Sequence, residues 1–237
     1  CKIEVKTTRT KINPQPPFTT DVLLKYASSL GFSAAYTMKL AQELFESGLI
    51  TYHRTDSVHV SSFGISIARQ WFETSNLLDI FVARQYGKEG THECIRPTKP
   101  YDAEQIKRFV MLKICRFPVK LSRDHFKLYD AIFRRFMASQ AKPIEVEKQV
   151  ANISLLKPNS NEAVQTIESE FIINILQHGF DKIMPVKIYK PLNAGIINVV
   201  GKWFKLPKAK PFTQGEVIAL MKEREIGRPR TYAKIIE

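Results

Sequence analysis

Apolar residues follow two rhythms along this chain. Between Thr19 and Gln140 they recur mostly at three- and four-residue intervals, the spacing of helices with one buried face. Over Lys2–Lys11, and again from Pro143 to about residue 210, the texture is that of strands. The opening strand is apolar on one side only at first, and Asn13–Pro17 (Asn-Pro-Gln-Pro-Pro) forms a linker stiffened by prolines. Thr19 or Thr20 can cap a helix carrying Val22, Leu23, Leu24 and Tyr26, which ends near Gly31. Ser33 can cap a second helix through Phe45, with Met38, Leu40, Ala41, Leu44 and Phe45 on its stripe, and Gly48 stops it. A short apolar strand after Gly48 would make this a helix-turn-helix with a wing; a plain helical hairpin fits the pattern more simply.

Further helices are expected from Ser61 or Ser62 (Ile65, Ile67, Ala68, Trp71 and Phe72 apolar), over 103–116, and over 122–139. In the last, Leu128–Phe136 reads as packing residues rather than a base-stacking surface. Strands are expected at Glu145–Leu156, Ala163–Ile172, Lys187–Tyr189 and Ile196–Phe204. Thr213-Gln-Gly-Glu216 is a capping box opening a helix through Met221, and Thr231 can cap another. The fold class is therefore α+β. One β unit receives both the N-terminal strand and the later stretch, with the helical block inserted between them.

Composition changes this picture through charge alone. Hydrophobic residues make up 44% and charged residues 25% of the 237 positions, an ordinary globular balance. The 36 Lys and Arg exceed the 23 Asp and Glu by 13, however, and the pI is near 9.6. That excess suits a polyanion, with nucleic acid the default partner. No long basic amphipathic helix or run of 18 apolar residues suggests a membrane. Cys1, Cys94 and Cys115 are isolated and odd in number, which suggests neither a zinc site nor a disulfide framework and fits a reducing setting. The chain opens on cysteine and stops within a helical pattern, as a piece of a longer protein would.

The chemistry concentrates in Gly48-Leu49-Ile50-Thr51-Tyr52-His53-Arg54-Thr55-Asp56-Ser57. In an extended segment Tyr52, Arg54 and Asp56 share one side, and His53 and Thr55 the other. A phenol is a weak nucleophile near neutrality, its ordinary pKa being about 10. A neighbouring guanidinium can favour the phenolate and hold a phosphate bidentately. Most Tyr-x-Arg pairs are nonetheless structural. His92 and Arg96 form a second pair on a loop ahead of Pro97, where a histidine satisfied by its own loop is the plainer reading. Ile226-Gly227-Arg228-Pro229-Arg230-Thr231-Tyr232-Ala233 sets two arginines at an expected helix start, either a phosphate site or a basic turn. Lys202–Lys210 mixes lysines with aromatics, as a single-strand-binding stretch or a lysine-protected edge would. No Gly-rich phosphate loop, acidic metal cluster or Ser/His/Asp set stands out.

Taken together, Gly48–Ser57, Thr91–Thr98 and Ile226–Ala233 closely resemble, in order, three motifs of type IA DNA topoisomerases, and the intervening Leu128–Gln140 helix matches too. The resemblance covers essentially the whole chain. His53, where many members carry methionine, and Pro16–Asp21 look most like reverse gyrases. The resemblance implies that Tyr52 attacks one DNA strand to give a 5′-phosphotyrosyl link and a free 3′-hydroxyl, and another strand passes before resealing. It implies that Arg54 holds the scissile phosphate, Asp56 orients neighbouring groups, and His92 assists at the reaction centre. Arg96, with Glu93 beside it, and Arg228, Arg230 and Thr231 would contact DNA, mainly single-stranded. Arg230 stands where relatives often carry a small residue.

The same resemblance implies a domain plan. Residues 1–16 and 142–211 form an arched β-rich gate and hinge, and 17–141 a helical domain with a winged-helix (CAP-like) core carrying Tyr52. Residues 212–237 begin a second CAP-like helical domain. The family's Toprim domain, which binds Mg²⁺, has no counterpart motif here: the chain contains no Asp-x-Asp-x-Glu. Metal binding by this chain is not expected. ATP would serve a separate helicase-like module, in cis or on another chain, and the setting would be the nucleoid of an archaeal or bacterial cell, including thermophiles. The alternatives are an ordinary type IA topoisomerase that relaxes negative supercoils and a non-catalytic single-stranded-DNA-binding module.

Overall fold

The computed structural model describes residues 1–87, 92–157, 160, 162–198 and 211–236. The chain divides into two compact units, one of residues 1–13 and 142–210, the other of 14–141 and 211–237.

The first unit is a four-stranded antiparallel sheet in the order β3-β2-β1-β4. Strand β1 (Lys2–Ile12) pairs with β2 (Ile144–Leu156) from Lys2↔Ser154 to Ile12↔Ile144. Strand β3 (Ala163–Gln177) runs further than its sequence pattern suggests, and β4 is only Gly195–Ile196. The register between β2 and β3 is interrupted by unpaired residues on β3, Ile173 among them opposite the step from Glu147 to Lys148. The buried positions of β2 are Ile144 and Val146 before that step and Gln149 and Ala151 after it. Gln149 then acts as a surrogate backbone, donating to the Leu192 carbonyl (3.1 Å) and accepting from its N–H (2.8 Å).

One strand expectation needs correction here. Lys187–Tyr189 forms no strand; its tie to the sheet is the Tyr189 N–H donating to the Ile172 carbonyl at 2.8 Å. Pro185 and Pro191 bracket the stretch and lack the N–H a ladder needs. Of Ile196–Phe204, Ile196 pairs with Lys2 and Ile197 exchanges backbone bonds with Cys1 at 2.9 Å, while residues 199–204, like the remainder of Lys202–Lys210, lie outside the described residues.

The second unit contains α1 (Thr20–Ser29), α2 (Ala34–Glu46), α3 (Ser62–Thr74), α4 (Ala103–Met111), α5 (Arg123–Ser139), α6 (Gln214–Glu223) and α7 (Tyr232–Ile235). Ser33, Ser61 and Thr213 cap as expected, each hydroxyl accepting an N–H of the first turn. Thr19 precedes α1 without capping it, because its hydroxyl donates to Asp21 instead. Helix α4 stops at Met111 rather than near 116. Lys113 adopts φ +57° and the Ile114 N–H reaches back to the Phe109 carbonyl, a Schellman closure.

Leu128, Tyr129, Ile132, Phe133 and Phe136 of α5 are buried, and Phe133 meets Trp71 edge-on at 5.5 Å, so this helix is core. Helices α1 and α2 turn at Gly31 (φ +87°) and pack Leu24, Ala34 and Met38 against Ile218, Met221 and Tyr232. Residues 211–236 thus share a core with α1 and α2. Contact is closest at Gly215, where a Cβ would stand 2.6 Å from the Lys25 Cα. Lys222 pairs with Asp21 at 2.9 Å beside it. The strand expected after Gly48 is a single bridge, Ile50 to Pro97, because the N–H groups that would extend it bond elsewhere, Leu49 to the Leu44 carbonyl and Arg96 to the Thr51 hydroxyl.

Candidate active site and nucleic-acid interface

Helix α2 ends at Glu46 with Ser47 as its C-cap, and Gly48 turns the chain at φ +68° so that Leu49 and Ile50 enter the core. The backbone on either side of Ile50 is knitted to the second motif. The Thr51 N–H donates to the Arg96 carbonyl (2.9 Å) and the Thr98 N–H to that of Leu49 (3.1 Å). The Thr51 hydroxyl donates to the Cys94 carbonyl at 2.7 Å and accepts the Arg96 N–H at 3.0 Å. Those bonds carry His92 to Tyr52, their ring centroids 6.2 Å apart. Phe45 and His53 meet the other aspects of the Tyr52 ring at 5.3 and 5.5 Å.

The division of sides expected from the sequence is present although residues 51–54 bend rather than form a strand. His53 and Thr55 are buried, Tyr52 and Arg54 half-buried, and Asp56 exposed. His53 has neither ring nitrogen bonded, and burial, helped by the charge of Arg54, lowers its pKa to about 4. It is an uncharged ring packed against Tyr52. The Arg54 Nε also lacks a partner. Burial pushes the Cys94 thiol up to about 12, so that cysteine is inert packing.

Glu93 and Arg96 form a braced pair. Glu93 accepts the Ser61 N–H at the start of α3 (2.9 Å) and meets the Arg96 guanidinium at 2.5 Å. Burial disfavours ionisation of Glu93, but the Ser61 bond and the Arg96 charge outweigh it and hold its carboxyl below the usual range. Arg96 is 4% exposed, donates also to the Pro97 carbonyl, and fills the space where a Cβ on Gly64 would stand 2.7 Å from its Nε. A DNA contact by this side chain would require the pair to open.

The third motif differs from expectation in one respect. Helix α7 has four residues, and the Thr231 hydroxyl, rather than capping it, turns back to bond the N–H and carbonyl of Arg228 at 2.9 and 3.1 Å. No capped helix start forms there. Arg228 and Arg230 are exposed, and Arg228 is directed by a 2.9 Å bond to the Gly227 carbonyl. Tyr232 is buried, which raises its pKa; Asp21 raises it further, Lys222 and Arg228 oppose, and Asp56 adds a smaller push. Asp56 of the first motif and Arg228 of the third therefore lie within electrostatic reach of one ring.

Tyr52, His92, Arg54 and Asp56 are thus brought into one region, Glu93 and Arg96 support it from within, and Arg228, Arg230 and Thr231 occupy the segment carrying Tyr232. Sequence reading missed three supports: Phe45 beside Tyr52, Thr51 bridging the motifs, and Thr20, read only as a cap. Among the described residues no three His, Cys, Asp or Glu side chains gather as a metal site, and no helix is long and apolar enough to cross a membrane.

The family model described as DNA topoisomerase matches residues 2–237. The chain is similar to the reverse gyrase of Pyrococcus furiosus, 47% identical over 99% of this chain and 19% of that protein. It is also similar to reverse gyrase 1 of Aquifex aeolicus, 43% identical over 94% of this chain and 19% of that protein. It thus spans about a fifth of the length of these relatives. The solved structure of full-length topoisomerase I from Thermotoga maritima superposes with a TM-score of 0.70 at 28% identity, covering 100% of this chain and 40% of that one.

Proposed function

The chain belongs to the type IA DNA topoisomerase family, and on that premise we propose that it is the strand-cleaving and strand-passing module of a reverse gyrase. The observation that carries the reading is the meeting of Tyr52 with His92, fixed by the Thr51 bonds to the second motif. Tyr52 Oη attacks a backbone phosphorus of single-stranded DNA. A P–O bond forms to the tyrosine as the P–O3′ bond breaks, and the phenolic proton ends on the 3′-oxygen. The link keeps the energy of the broken bond, so resealing reverses these steps without a nucleotide.

His92 stands where it can assist that proton transfer. Arg54 neutralises the phosphoryl charge that grows in the transition state, where its planar fork is most useful. Asp56 orients groups at the edge of the site. His53 excludes water beneath Tyr52 without adding a charge. Arg228, Arg230 and Thr231 serve the DNA backbone, and Arg96 joins them when its pair with Glu93 opens.

In this reading residues 1–16 and 142–211 form the gate and hinge, 17–141 the tyrosine-bearing domain, and 212–237 the start of a second helical DNA-binding domain. Mg²⁺ belongs to the Toprim domain of the longer protein and ATP to its helicase-like module. The whole protein would act at the nucleoid, introducing positive supercoils at the expense of ATP.

The test uses the full-length protein and an end-labelled single-stranded oligonucleotide, denatured after incubation. Label should migrate with the wild-type protein and not with Tyr52→Phe. An adduct that survives this substitution, or none in the wild type despite salt-sensitive binding, would reject the reading.

A further inference from the structure

The backbone on either side of Arg54 is held by a residue outside all three motifs. Thr20, the first residue of α1, is fully buried. Its N–H donates to the Thr55 carbonyl at 2.8 Å. Its hydroxyl accepts the Thr55 N–H at 2.9 Å and shares its own proton between the carbonyls of His53 (2.8 Å) and Thr55 (3.0 Å). One side chain and one N–H thereby secure the backbone on both sides of Arg54. The carbonyls of 53 and 55 also meet the start of α1, where the helix dipole favours negative partial charge.

Arg54 has need of such a support. Its Nε is buried without a partner, so no bond from that atom fixes the side chain. The imidazole of His53 on one side makes no hydrogen bond either. The backbone from which the guanidinium leaves is held by Thr20. Helix α1 is in turn held at Gly215 and Asp21 by α6.

We propose that Thr20 is a positioning residue for cleavage, acting through the backbone of residues 53–55 to aim Arg54 at the scissile phosphate. This rests on the proposed roles of Arg54 and Tyr52. Losing the hydroxyl leaves Arg54 in place but frees its direction. Because misplacement of a catalytic group by about 1 Å can cost about 10²-fold, the loss should fall on the chemical step and not on binding.

The experiment compares full-length wild type, Thr20→Val, Thr20→Ser, Arg54→Ala and the Val/Ala double variant by single-turnover adduct formation at saturating oligonucleotide. Thr20→Val should slow cleavage by about 10- to 100-fold with unchanged affinity, Thr20→Ser should restore most of the rate, and adding Thr20→Val to Arg54→Ala should cost little more. Wild-type cleavage by Thr20→Val, or a full multiplicative loss in the double variant, overturns the proposal. If Thr20→Val does not fold, hydrogen exchange on the wild type decides: the Thr55 amide must be the slowest of residues 52–57, and rapid exchange there overturns it. Loss of the wild-type adduct itself would reject the underlying reading and this proposal together. A wild-type adduct with an indifferent Thr20 rejects the proposal alone.

Discussion

The rings of Tyr52 and His92 lie 6.2 Å apart at an interplanar angle of 42°, although they belong to different motifs. The approach is not made by the rings themselves. It is set by Thr51, whose hydroxyl joins the carbonyl of Cys94 to the N–H of Arg96 on the opposite segment. In the proposed reaction His92 is therefore a partner of the phenol delivered by backbone pairing.

His92→Ala should lower the rate of adduct formation by about 10²-fold, the lower end of what a positioned proton-transfer group contributes. Affinity for uncleaved single strand should stay unchanged, because His92 is one exposed residue on a strongly basic protein. Single-turnover cleavage beside a binding titration separates the two. An equal fall in both would make His92 a DNA contact instead.

His53 gives a prediction about stability. Its folded pKa is about 4 against an ordinary 6.5. Between those values the unfolded chain takes up a proton that the folded state rejects, so stability rises with pH through this window. The contribution is fully present above about pH 6.5 and is lost as pH falls toward 4, on the order of 3 kcal/mol in all. Thermal unfolding from pH 4 to 7 should show a shallower slope for His53→Met than for wild type. Identical slopes would mean that His53 finds a partner in solution.

How much of this was legible in the sequence depended on the range over which each cause acts. The caps at Ser33, Ser61 and Thr213 are decisions within one helical turn, and they could be read directly. The burial alternation over 52–56 could also be read, although the backbone there is not a strand. The end of α4 could not, because it depends on Lys113 entering a left-handed conformation to which glycine is better suited. The two-way bonding of Thr20 was equally hidden, since His53 and Thr55 lie more than thirty residues away. Thr231 shows the opposite failure: its local pattern predicted a cap, yet its hydroxyl bonds the turn before it.

Gly215 should tolerate no side chain. A Cβ there would stand 2.6 Å from the Lys25 Cα and 2.9 Å from the Ser28 Oγ, so one helix must shift as a whole. Gly215→Ala should destabilise the packing of α6 on α1 by about 1–3 kcal/mol, the usual penalty of overpacking, despite alanine's better helix propensity. Limited proteolysis should cleave 211–236 sooner than in wild type. Unchanged resistance would show that α1 and α6 separate readily in solution.

The excess of 13 positive charges predicts single-strand affinity that falls steeply with salt, at a log–log slope of about −0.7 per phosphate neutralised. The third motif offers a way to count individual contacts. Arg228 and Arg230 are both exposed, but only Arg228 has its guanidinium bonded to the Gly227 carbonyl and so directed. If each neutralises one phosphate, Arg228→Ala and Arg230→Ala should each flatten the slope by about 0.7, and the double variant by about 1.4. Arg228→Lys should keep the slope, which counts charge, while losing affinity, because an ammonium lacks the planar fork. Binding titrations across a salt series supply both quantities. A slope indifferent to either arginine would remove the third motif from the DNA interface and leave the charge excess to residues elsewhere in the chain.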